Sequence, residues 1–272
     1  MKFKIKLGPA GIPLNCHGSS IDAIEYIKKE GLQAMEVEFV RGVKMSNKTA
    51  QTLGEKAKQF DIELSIHAPY YINLASEKRE VIVQSKKRIL DSMERAHHMG
   101  AKIVVVHAGY YGKYTPEQCH KIMLKQFKDI VERAKRRKWK VNVGIETMAK
   151  PKSYGKINEV LDICSKIKQC VPVIDFGHMF AYNQGKIDYE EILDKVKKYS
   201  HLHSHFSNMK KNKKGEYVDI HKPIDHEPPF KPLAQAILKR KVDITIISES
   251  PILDMDSLKM KRIFERLGYK FT

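Results

Sequence analysis

Hydrophobic runs of strand length recur along the chain, and each is followed by a stretch in which apolar residues return every three or four positions. Eight runs read as strands: FKIKLG (3–8), AMEVEF (34–39), IELSIH (62–67), KIVVVH (102–107), VNVGIE (141–146), VPVID (171–175), HLHSHF (201–206) and ITIISE (244–249). The stretches between them carry helix punctuation. SSIDAIEYIKKEG opens on Ser19 as a cap and closes on a glycine, Glu77 to Met99 is long and amphipathic, and Thr115 precedes Pro116 at a first helical position. The last helix is predicted from Asp256, in DSLKMKRIFERLG.

Eight strand-then-helix units in 272 residues match the size and period of a (β/α)8 TIM barrel of the α/β class. A doubly wound open sheet is the competitor, but it would more often carry a glycine-rich phosphate turn after its first strand, and GPAGIP is not GxGxxG. Nothing resembling a linker interrupts the series, so residues 1–272 are expected to form a single domain. The longest irregular piece lies between the seventh strand and a helix near Phe230: SNMKKNKKGEYVDIHKPIDHEPP, basic first and then rich in possible ligands.

Charge narrows the partners. Lysine and arginine number 50 against 32 acidic residues, a formal charge of +18 that attracts polyanions, of which nucleic acid is the commonest. A lysine-rich surface without a partner explains the same number, so charge alone decides nothing. No run approaches the roughly 18 apolar residues of a membrane helix, and MKFKIKLGPAG lacks a signal-peptide core, so a cytoplasmic protein is expected. Cys16, Cys119, Cys164 and Cys170 are scattered without CxxC, which excludes a disulfide framework and a cysteine zinc site.

In a barrel, chemistry sits where the strands end at the C-terminal face. Six consecutive strands close on His67, His107, Glu146, Asp175 (with His178 just beyond), His205 and Glu249, and the loop after the seventh adds Asp219 and His221. One strand-end histidine is usually a hydrogen-bonded core residue, but a ring of such carboxylates repels itself without cations. Imidazole with carboxylate and no cysteine suits Zn2+ first, then Mn2+, Fe2+ or Co2+. Nine ligands exceed one ion, and with one bridging carboxylate they serve two or three, the cluster size typical of phosphoester hydrolysis.

SHLHSHFSNMK poses a separate question, because alternation turns His201, His203 and His205 to one face. Residues two apart are displaced by about 6.6 Å along a strand, so one of the three lies at the metal layer. His205, nearest the mouth, is the choice; His203 falls in the layer beneath and His201 near the barrel floor.

SIHAPYYINLAS, VVVHAGYYG, GIETMAKPKSYGK, VIDFGHMFA, HFSNMK, VDIH and SESP, in that order, resemble the motifs of endonuclease IV, the zinc-dependent abasic-site endonucleases of the xylose-isomerase-like barrel superfamily. The resemblance implies one zinc held by His67, His107 and Glu146, a second by Glu146, Asp175, His205 and Glu249, and a third by His178, Asp219 and His221. It implies hydrolysis of DNA 5′ to an abasic site to leave a 3′-hydroxyl, with Glu146 and Glu249 as the catalytic carboxylates that place the attacking water. It further implies that Tyr70 and Tyr71, with Arg41 past the second strand, enter the minor groove at a flipped-out nucleotide. The run KKNKK, which begins with Lys210 and Lys211 and ends at Lys214, would meet phosphates as a loop; as a solvated lysine run it needs no partner. The chain departs from bacterial members in FSN after the seventh-strand histidine and in MAKPKSYG after the fifth-strand glutamate, both of which alter loops that would border DNA. Double-stranded DNA with abasic sites is therefore the expected partner, bound by a monomer. A sugar isomerase or epimerase of the same superfamily is the main alternative, and a DNA-binding barrel without catalysis a second.

Overall fold

All eight expected strands form. In the computed structural model, which describes residues 3–271, they are β1 (Ile5–Pro9), β2 (Ala34–Glu38), β3 (Glu63–His67), β4 (Ile103–Val106), β5 (Asn142–Glu146), β6 (Cys170–Asp175), β7 (Leu202–Phe206) and, after a hairpin, β10 (Ile244–Ser248). They hydrogen-bond in the order β1-β10-β7-β6-β5-β4-β3-β2, every pair parallel. The sheet almost closes on itself. Between β1 and β2 the ladder is reduced to Gln33 N donating to Leu7 O (3.0 Å) and Gly11 N donating to Glu36 O (2.9 Å). Gly8 makes this seam possible, because a Cβ there would lie 1.8 Å from the carbonyl oxygen of Ala34.

The helices α1 (Ser20–Lys29), α2 (Asn47–Gln59), α3 (Arg79–Met99), α4 (Pro116–Arg136), α5 (Ile157–Lys166), α6 (Phe176–Tyr182), α7 (Tyr189–Val196), α8 (Phe230–Arg240) and α9 (Leu253–Arg266) surround the barrel. Ser19 and Thr115 cap α1 and α4 with capping boxes, as their sequence contexts predict. Outward-facing strand residues such as Leu64, Ile66, Val104, Val106, Val143 and Ile145 pack on the helices in one large core, whereas Ile103, Val105 and Val173, which alternate with them, form a separate small cluster inside the barrel. No helix among the described residues is long and apolar enough to cross a membrane.

Two expectations are corrected. The last helix begins at Leu253 instead of Asp256, because Asp256 is a tertiary acceptor, taking the Ile224 N–H at 2.9 Å while Asp254 takes that of Leu14 at 3.0 Å. The segment expected to be irregular folds in part into an antiparallel hairpin, β8 (Asn208–Lys211) with β9 (Tyr217–Lys222). Asn212 Oδ1 accepts from Lys214 N and Glu216 N in its turn, and Gly215 takes the left-handed conformation there at φ +80°.

Candidate metal centre

Period-two alternation aims one set of strand side chains at the barrel axis: Glu36 and Glu38 on β2, Ser65 and His67 on β3, Glu146 on β5, Asp175 on β6, and His203 and His205 on β7. His107 and Glu249 stand one residue beyond β4 and β10. Asp175 ends β6 and also caps α6, its Oδ1 accepting from His178 N at 2.7 Å. That cap starts the helix which carries His178 back over the mouth. The hairpin brings Asp219 and His221 in from the other side.

The described residues thus gather four donor sets, one of them, Glu36 with His203 and His205, reaching into the layer beneath the mouth and three at the mouth itself. His67, His107 and Glu146 offer ligand atoms within 4.8 Å of one another; so do Glu146, Asp175, His205 and Glu249, and so do Asp175, His178 and His221. Asp219 joins the last set, with Oδ1 3.2 Å from His178 Nε2 and 3.6 Å from His221 Nε2. Its other oxygen lies 3.0 Å from Lys150 Nζ, a cation the sequence reasoning did not single out.

Backbone carbonyls fix which ring nitrogen faces inward. His67 Nδ1 lies 2.7 Å from Ala68 O, His178 Nδ1 3.0 Å from Thr147 O and His221 Nδ1 2.8 Å from Glu249 O. A carbonyl only accepts, so in each ring Nδ1 carries a hydrogen and Nε2 is the nitrogen that faces a carboxylate, Glu146 for His67 and Asp219 for His178 and His221, the orientation metal-binding histidines adopt.

The polar atoms converge without satisfying one another. Glu146 Oε2 is 2.8 Å from His107 Nε2, yet His107 Nε2, Glu146 Oε1, Asp175 Oδ2, His205 Nδ1 and Glu249 Oε2 are all buried without a hydrogen-bond partner among the described residues. Orphaned donor atoms aimed at common points fit divalent cations. The groups also perturb one another's protonation. Burial works to raise the Glu146 carboxyl, but the His107 and His205 charges outweigh it and hold the group well below its usual range. Burial lifts Glu249 to about 7, with Glu146 and Asp175 adding to the rise against His205 and His221. Burial would depress His67, but Glu38 and Glu146 lift it to about 10.

The other expected site residues divide. Tyr70 leans on the cluster, its ring 5.0 Å from that of His67 and 5.4 Å from that of His107. Tyr71 turns outward at 68% exposure. Arg41 is exposed in the segment after β2, and Lys210 and Lys211 are exposed on the hairpin, with Lys211 4.7 Å above the Tyr217 ring. Of the three alternate histidines, His205 reaches the cluster, His203 donates Nε2–H to Glu36 Oε2 at 2.9 Å, and His201, near the floor, pairs with Asp243 and Thr245.

The sequence reasoning missed Glu36 and Glu38. Their alternation with Met35 and Val37 in AMEVEF was the available signal, since it turns both acids into the barrel. Glu38 is register partner to His67 and so stands at the ligand level. Both its carboxylate oxygens are buried and lack hydrogen-bond partners among the described residues. Burial, with Glu36 and Glu249 adding to it against His67, lifts this carboxyl to about 8.

The chain is similar to several known proteins. A Methanocaldococcus jannaschii protein described as uncharacterized is 31% identical over 271 residues, covering 96% of this chain and 97% of its own. A probable endonuclease 4 of Mycoplasmopsis synoviae is 26% identical over 201 residues, 71% of this chain and 70% of its own. Among solved structures, endonuclease IV from Thermus thermophilus superposes with a TM-score of 0.70 at 20% identity, covering 95% of this chain and 98% of its own. A D-tagatose 3-epimerase-like protein gives 0.71 at 23%, covering 91% and 94%. These two show a common fold. The model of the xylose isomerase-like TIM barrel family matches residues 24–262, and this chain is a member of that family.

Proposed function

We propose that this protein is a metal-dependent DNA endonuclease that hydrolyses the phosphodiester 5′ to abasic sites and leaves a 3′-hydroxyl. The observation that carries the reading is the presence of three donor sets linked by shared carboxylates: Glu146 belongs to the first two, and Asp175 to the second and third. In this reading residues 1–272 form one barrel, monomeric and cytoplasmic, whose mouth holds two or three ions, Zn2+ or another transition metal such as Mn2+. Bound ions of this kind supply Lewis-acid polarisation of a phosphoryl group and activation of water near neutral pH. Glu146, a member of two donor sets, would hold two ions, and Glu249, with one oxygen unpartnered among the described residues, would orient the attacking water. Tyr70 occupies the space of the extruded nucleotide, Tyr71 and Arg41 border the groove, and Lys210 and Lys211 take backbone phosphates.

Support for the reading comes from the relatives named endonuclease 4 and from the charge of +18. The test is to incubate zinc-loaded protein with a duplex carrying one tetrahydrofuran abasic analogue. Cleavage on the 5′ side is expected; an intact duplex would overturn the proposal.

Glu38 favours a second reading, a sugar isomerase or epimerase. An unpartnered carboxyl beside the ligands suits a polyol hydroxyl, which both donates and accepts, better than a phosphate. The set Glu146, Asp175, His205 and Glu249 would then suffice with one ion. Turnover of a ketose or aldose by protein that leaves the abasic duplex intact would select it.

A further inference from the structure

Four of the five histidines at the mouth fall under one rule or lack a clear orienting partner, and one breaks the rule. His67, His178 and His221 each give Nδ1–H to a backbone carbonyl and present Nε2, while His107 presents Nε2 to Glu146. His205 is turned the other way. Its Nδ1 lies 3.5 Å from Glu146 Oε1 and 3.5 Å from Glu249 Oε1, and among the described residues no carbonyl meets its Nε2. Instead Glu36 Oε1 lies 2.8 Å from that Nε2, in a contact the present ring orientation leaves off the hydrogen-bond line.

Glu36 is itself held from below. Its Oε2 accepts from His203 Nε2 at 2.9 Å and from Ser65 Oγ at 2.7 Å. The residue is fully buried, so a carboxylate there needs compensation on both oxygens. Two donors fix Oε2 and leave Oε1 turned up at His205. From these contacts we propose that Glu36 is a positioning residue of the metal centre, fixing His205 as the Nε2–H tautomer with Nδ1 presented to the ion shared with Glu146, Asp175 and Glu249, and that His203 and Ser65 hold Glu36 in that role. Glu36 does for His205 what main-chain carbonyls do for His67, His178 and His221. The proposal rests on the metal-centre reading but is indifferent to whether the substrate is DNA or a sugar.

The experiment is Zn2+ competition against a chromogenic chelator for the wild type and Glu36→Gln, with the Co2+ absorption spectrum of each as a spectroscopic readout. Exchanging the charged partner that orients a ligating histidine for a neutral amide, which must turn its NH2 either toward His205 or toward the donors His203 and Ser65, costs about 10–100-fold in metal affinity. The expected result is that loss for one ion, with a shifted Co2+ spectrum and partial rescue in Glu36→Asp. Wild type that binds no metal would sink the metal-centre reading and the proposal with it. Wild type and Glu36→Gln with equal affinities and spectra would sink the role of Glu36 alone. Should Glu36→Gln fail to fold, the 15N shifts of His205 in Zn2+-loaded wild type decide: metal on Nδ1 with Nε2–H is expected, and metal on Nε2 overturns the proposal.

Discussion

His107 Nε2 and Glu146 Oε2 stand 2.8 Å apart at the barrel mouth, and His107 Nε2 nonetheless has no hydrogen-bond partner among the described residues. Glu146 also reaches His67, His178 and His205, at 3.3, 3.1 and 3.5 Å. Replacing it by glutamine removes the bridging charge while keeping the volume. Glu146→Gln is expected to lower cleavage of an abasic duplex by at least about 10³-fold and to leave DNA affinity within a few-fold. Gel-based cleavage and fluorescence anisotropy on the same duplex check it, and activity equal to wild type would refute the bridging role.

Metal removal is expected to lower thermal stability. Glu146 and Asp175 are fully buried with oxygens aimed into the cluster, so bound cations relieve repulsion that the stripped protein retains. Melting followed with and without chelator should show the metal-loaded form several degrees more stable, with two or three ions per chain by elemental analysis. An unchanged melting temperature, or a single ion, would count against the three-set reading.

Binding, as distinct from chemistry, is expected to depend on the hairpin lysines. Each phosphate contact releases counterions, giving a slope of about −0.9 in log affinity against log salt. Lys210→Glu with Lys211→Glu should weaken binding to any duplex sequence and flatten the slope by about 1–2. Anisotropy at several salt concentrations measures it; an unaltered slope would mean that these lysines face away from DNA.

At the opposite end of the barrel, Glu63 offers a pH prediction remote from the candidate metal centre. Its Oε2 lies 2.8 Å from Lys6 Nζ, and its Oε1 accepts from Thr245 Oγ1 at 2.6 Å. Burial alone would raise the group, but the Lys6 and Thr245 bonds bring it from the ordinary 4.5 to about 2. A carboxyl depressed on folding contributes stability that is complete above about 4.5 and is lost as pH falls toward 2. Glu63→Gln should therefore cost about 2–3 kcal/mol at neutral pH, and the gap to wild type should close between pH 4.5 and 2 in urea melts. A gap independent of pH would show that the loss is not ionic.

Sequence alone located the eight strands because barrel strands bury both faces, leaving short apolar runs that glycines and helix caps separate. The donor ring was legible for a related reason: a histidine or acid that closes a strand stands out against Val and Ile, as His67 does after ELSI. Glu36 and Glu38 were passed over because an acid inside a run resembles the outward half of a one-sided strand, and only closure of the sheet shows that this half also faces a filled interior. The hairpin was obscured by the lysine-rich composition of NMKKNKK, which suits a solvated loop equally well. Lys150 was not found because its partner, Asp219, lies 69 positions away and arrives with that hairpin.

The hairpin β8–β9 carries both Asp219 and His221, whereas Glu146, Asp175, His205 and Glu249 stand on or just past the barrel strands themselves. The centre is therefore modular. Shortening one connection would delete two ligands of the third set in a single event and leave a complete four-residue set behind, rooted in the sheet. A barrel of this design could pass between multi-ion and single-ion chemistry through an insertion or deletion in one loop, with its scaffold and remaining ligands unaltered.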